Sequence, residues 1–99
     1  MVAVFYGCQQ WIERYGMDAA LLVGDALEQY RRQPVKLKGR KGYWVCYGIR
    51  ECRKNTGLSP FRQRQALDAM ERDGVLLKVN VGAPQKRHLQ FVIGLIDSL

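Results

Sequence analysis

Apolar positions recur at helical spacing through most of this chain and at every second residue near its end. Phe5, Cys8, Trp11, Ile12 and Tyr15 share one helical face, and Gly16 is placed to end that helix. Asp18 is a candidate cap for a second helix running to about Arg32, with Ala19, Leu22, Val23, Ala26, Leu27 and Tyr30 as its inward stripe and Pro34 as its stop. Residues 1–33 therefore read as a helical hairpin. Residues 34–42 have glycines, four positive charges and no periodicity, which predicts a mobile basic loop. Tyr43-Trp44-Val45-Cys46 is strand-like, and Ile49, Cys52 and Arg53 open a short helix that must stop before Gly57.

The sharpest signals flank residues 60–73. Ser59 is a good N-cap, and Pro60 suits the first helical position, where its missing N–H costs nothing. Gly74 can take the left-handed conformation that closes a helix. On this helix Gln63, Ala66, Leu67 and Met70 share one face. Arg62, Gln65, Ala69 and Arg72 lie on another, with Arg64 and Asp68 at the flank. Beyond it Val75, Leu77, Val79 and Val81 alternate with Leu76, Lys78 and Asn80, and Leu89, Phe91 and Ile93 alternate with Gln90 and Val92. That pattern predicts a β-hairpin over 75–94 with its tip at 82–88. The last residues, 95–99, are too apolar for a free end and suit packing onto the first helix or onto a second copy in a homodimer.

Charge sharpens the picture. Lys and Arg outnumber Asp and Glu by 16 to 9, a formal +7 on a chain of 99 residues, enough for one domain. Residues 34–64 hold nine of the basic side chains and a single acid, while the segments on either side are close to balanced. A basic excess by itself often serves only solubility. Concentrated where it leads into the central helix, it points to a polyanion as partner.

The run Gly57-Leu58-Ser59, Gln65-Ala66-Leu67, Met70-Glu71, Gly74-Val75-Leu76 resembles the turn, recognition helix and hairpin entry of a winged helix-turn-helix domain, without a gap. Two positions depart from the usual pattern: Gln63 stands where a β-branched hydrophobe is usual, and Gln65 where an Arg is. The wider layout is similar to the N-terminal domains of phage and plasmid replication initiators and to small transcription regulators. It shares with them an aromatic helix ending in Tyr15-Gly16, a Leu-rich helix ending near Tyr30 and the entry Gly42-Tyr43-Trp44-Val45. The resemblance implies an α+β fold, a winged helix-turn-helix with two preceding helices and a C-terminal hairpin wing, over one domain of residues 1–99. Residues 43–74 would hold the helix-turn-helix. Its implied function is duplex DNA binding in a mobile-element regulator or replication-initiation module.

In that motif the N-terminal part of the second helix enters the major groove. Arg62, Arg64 and Gln65 are thus the candidate base readers, since Arg and Gln side chains match guanine and adenine edges. Arg50, Arg53, Lys54, Ser59, Lys86, Arg87 and His88 are the candidate backbone contacts, with Asn55 beside the first group. Phe61 is expected to pack against the preceding helix.

Other chemistries fit less well. The acids are scattered, with no paired carboxylates, Cys/His couple or phosphate loop, so neither an enzyme nor a metal or other cofactor is expected. Cys8, Cys46 and Cys52 are odd in number and lack a Cys-x-x-Cys pair, which suits buried thiols in a reducing cytoplasm. The opening residues lack a basic n-region, and no stretch is long and apolar enough to span a membrane. Two rivals stand beside DNA binding: a winged-helix adaptor that binds protein, and an RNA binder that uses the basic loop.

Overall fold

The Leu- and Ala-rich stripe of residues 17–32 seeds the core. As α1 (Met17–Arg32) it buries Ala19, Ala20, Leu22, Val23, Ala26 and Leu27. The computed structural model describes residues 12–91. The expected aromatic face at Phe5, Cys8 and Trp11, the hairpin beyond Phe91 and the apolar tail 95–99 lie outside the described residues. Residues 12–15 are helical and end where Gly16 N donates to Ile12 O at 2.8 Å. Asp18 does not cap α1. Gly16 occupies the N-cap position without a side-chain bond, and Asp18 lies in the first turn.

After α1 come β1 (Val35–Lys36), β2 (Tyr43–Cys46), α2 (Ile49–Thr56), α3 (Pro60–Arg72), β3 (Leu76–Val81) and β4 (Lys86–Phe91). The molecule is α+β: α1, α2 and α3 pack on one another, and α1 and α3 also pack against an antiparallel sheet of order β1-β2-β4-β3. β2 joins the C-terminal hairpin through β4, with Val45 opposite Leu89 and Cys46 opposite His88. The core joins the α1 stripe to Val45, Tyr47, Cys52, Leu58, Ala66, Leu67, Met70, Leu76, Leu89 and Phe91.

The basic segment 34–42 is more ordered than its composition predicts. Val35 and Lys36 pair with Trp44 and Tyr43, which makes the segment a hairpin with its own strand. The Lys41 carbonyl accepts from Trp44 Nε1 at 3.2 Å and from Gln90 Nε2 at 2.7 Å, so the base of the loop is pinned to the sheet.

The second correction concerns β3. The alternation predicts Val75, Leu77, Val79 and Val81 on one face, yet Leu76 is fully buried and Leu77 is half exposed. The cause is the end of α3. Gly74, at φ 77°, donates to Glu71 O at 3.0 Å, and Val75 N donates to Met70 O at 3.0 Å. This is a Schellman closure, with Val75 and Met70 as its apolar contact. Val75 thus completes the helix cap, and strand alternation begins one residue later. In a structure of period two, a shift of one residue moves the buried position, here from Leu77 to Leu76 at the start of the strand. Leu76 then sits opposite Phe91, and Lys78 opposite Leu89.

Candidate functional site

Three backbone devices aim α3. Gly57 closes α2 in the left-handed region at φ 80°, where a residue with a Cβ is strained. Thr56 Oγ1 donates to Cys52 O at 2.7 Å and accepts from Leu58 N at 3.2 Å, which folds the turn and buries Leu58. Ser59 Oγ accepts from Arg62 N at 3.3 Å, so the expected N-cap is present with Pro60 behind it. Gln63, Ala66, Leu67 and Met70 face inward. Phe61, Arg64, Gln65, Asp68 and Arg72 form the outward stripe. Phe61 does not pack against α2 as expected; it is 62% exposed.

One flank of this stripe borders a cleft of about 650 Å³. Its walls are the start of α2 (Gly48, Ile49, Arg50), Pro60, Arg64 and Leu67 of α3, and Lys78, Lys86 and Arg87 of the β3–β4 hairpin. Glu51 is the one acid on these walls, against five cations. Lys78 is already held by Asp68 at 2.8 Å and Glu71 at 3.9 Å, and the hydrogen bond from Lys78 keeps Asp68 below the ordinary carboxylate range. Arg50, Arg64 and Lys86 are exposed and form no ion pair within 4 Å among the described residues, although the charge of Arg64 also helps to hold Asp68 low. Arg53 and Lys54 are exposed on α2, outside the cleft.

Three of the expected site residues are placed otherwise. Arg62 turns back to α1, where Nε and Nη2 meet the two oxygens of Asp18 at 2.8 and 2.5 Å. That bidentate bond holds Asp18 below its ordinary pKa, and it leaves Arg64 and Gln65 as the exposed candidates at the start of α3. Arg87 and His88 are not at a hairpin tip. The turn occupies 82–85, Lys86 already belongs to β4, His88 is buried and Arg87 is half-buried. His88 Nδ1 lies 2.9 Å from Lys86 O. Asn55, expected beside the phosphate contacts, instead donates to Asp25 at 3.1 and 3.2 Å.

Arg87 has a structural task. Its Nε donates to Tyr47 O at 2.8 Å, its Nη2 donates to Gln63 Oε1 at 2.9 Å, and its guanidinium lies over the Tyr47 ring at 5.6 Å. Burial lowers its pKa, and neutral acceptors carry the charge. Gln63, with no exposed surface, completes the set by donating to Ile49 O at 3.1 Å and Leu58 O at 2.9 Å. Tyr47 OH donates to Asp25 at 2.6 Å, and burial, then that bond, raise its pKa. One polar chain therefore fixes β4, α3, the turn and α1 together. Sequence reasoning missed it, although Gln63 carried a signal as a polar residue on an otherwise apolar face.

Among the described residues no three His, Cys, Asp or Glu side chains gather as metal ligands, and no helix is long and apolar enough to cross a membrane. Comparison with known protein families, curated proteins and solved structures gives no match.

Proposed function

We propose that this chain is a winged helix-turn-helix DNA-binding domain, a transcription regulator or replication-initiation module of a mobile element, in which α3 enters the major groove and the β3–β4 hairpin is the wing. The observation that carries the reading is the convergence of three exposed cations, Arg50, Arg64 and Lys86, none in a close ion pair among the described residues, on the cleft between α3 and the hairpin. They come from separate elements, and an anion bound across the cleft would meet all three. Arg64 and Gln65 then read base edges from the outward stripe, at about 1–3 kcal/mol for each good contact. Arg50, Arg53, Lys54 and Lys86 hold phosphates, and Ser59 supplies the helix start beside them. Arg62, Arg87 and His88 take no direct part.

Anisotropy titration with random and selected duplexes at two salt concentrations tests the reading. Binding should weaken steeply with salt, and Lys86→Ala should flatten the slope by about one unit for every sequence alike. Arg64→Ala should lose discrimination between sequences. Absence of duplex binding at low salt would refute the proposal. The exposed Phe61 and Ile49 beside the cleft would then favour the protein-binding adaptor.

A further inference from the structure

The sheet register places a second basic surface far from the first. β2 and β4 run antiparallel, with Cys46 opposite His88 and Val45 opposite Leu89, so the end of β2 lies near the β3–β4 turn and its start lies near Phe91. The β1–β2 tip, residues 37–42, thus closes the end of the sheet opposite the cleft. Along β4 from the Phe91 level to Lys86 that is five strand steps, about 17 Å or about two Debye lengths at physiological salt. Lys36, Lys38, Arg40 and Lys41 are all exposed on this hairpin, and none has an acidic partner among the described residues. No acid occurs in the sequence between Glu28 and Glu51.

The four cations stand on a fixed support. Lys36 Nζ lies 5.3 Å from the centre of the Tyr43 ring, and the Arg40 guanidinium lies 5.9 Å from that of Trp44. The two bonds to the Lys41 carbonyl anchor the loop, and Gly42, at φ 76°, makes the turn back into β2. A solubilising charge run would need no such support. Unpaired charges of one sign, held together at a chain reversal, match the repeating charge of a phosphodiester backbone.

We infer that the β1–β2 hairpin binds the phosphodiester backbone of a second duplex segment, separate from the one at the α3 cleft, so that one molecule holds two duplexes. The contact is sequence-blind and electrostatic. The hairpin contact acts independently of the α3 site, while the count of two duplexes rests on the reading of that site.

Titration of the full chain with short duplexes of about one helical turn, read by sedimentation at low salt, supplies the test. The expected result is two duplexes for each protein chain. Lys36→Gln/Lys38→Gln/Arg40→Gln/Lys41→Gln should fall to one, and Lys36→Arg/Lys38→Arg/Lys41→Arg should keep two. Arg50→Gln/Arg64→Gln/Lys86→Gln should also fall to one, now held at the hairpin, with a salt slope of about 3–4 for its four cations. A thermal melt of each variant reports folding. Saturation at one duplex that the hairpin variant still binds, or two duplexes retained by the hairpin variant, would overturn the inference. A cleft variant that binds like the unaltered protein, beside a hairpin variant that binds nothing, would instead overturn the α3 reading and leave this one standing.

Discussion

Replacing Gln63 with Leu restores the apolar pattern on the inner face of α3 and should nevertheless destabilise the protein. The amide makes two bonds to neutral carbonyls, at 3.1 and 2.9 Å, and accepts one from the Arg87 guanidinium at 2.9 Å. At about 1 kcal/mol for each neutral bond and about 1.5–3 for the charged one, the gross loss is about 3.5–5 kcal/mol. Burying Leu offsets about 1.5–2 of that. The net cost is about 1.5–3.5 kcal/mol, equivalent at its midpoint to a melting temperature lower by about 10–20 °C for a domain of this size. Urea denaturation at constant m-value measures it. In a double-mutant cycle with Arg87→Leu the coupling should be about 1–2 kcal/mol, because with both partners apolar no charge is left without its acceptor. If Gln63→Leu is neutral or stabilising, or if the two effects simply add, the polar chain does not hold the hairpin to α3 and the reasoning fails.

Ser59→Ala removes the one side-chain bond at the α3 N-terminus and should cost about 1 kcal/mol in the same urea assay, with Ser59→Asp close to neutral. Arg62 holds Asp18 below its ordinary pKa, so the pair stabilises the fold above the unfolded value near pH 4, and its contribution is lost as pH falls through the lowered folded value. The pair is partly exposed, at 53% and 30%, so solvent screening keeps the effect small; Asp18→Asn should remove that part of the acid-induced loss, and an unchanged stability–pH curve would show that the pair contributes nothing. At Gly42 a Cβ would lie 2.5 Å from Gln90 Nε2 on a backbone at φ 76°, so Gly42→Ala should displace the Gln90 amide from the Lys41 carbonyl and cost about 1–2 kcal/mol. Thermal melting checks this, and an unchanged midpoint would mean that the loop is not pinned there.

What could be read without coordinates is what short-range physics controls. The stripe of α1, the stop of α2 at Gly57, the Ser59-Pro60 start and Gly74 close of α3, and the strand at 43–46 all follow from side chains a few residues apart. A cap is satisfied by its own next turn, and an apolar face is defined by helical spacing alone, so the local sequence suffices. The exposure of Arg64 and Gln65 follows from the same spacing.

Contacts between distant residues were decided by the tertiary structure. Arg62 leaves the outward stripe for Asp18, 44 positions away, because packing α3 on α1 brings that carboxylate within reach. Arg87 leaves the surface for Gln63 and Tyr47 because its place in β4 sets it against the turn before α2. At the start of β3 the buried position falls on Leu76 in place of Leu77 because Val75 is drawn into the close of α3, and a strand pattern cannot say where a preceding helix releases the chain. Charge and hydropathy thus set which residues were available, while only the folded arrangement decided which charges were paired inside and which were left facing outward.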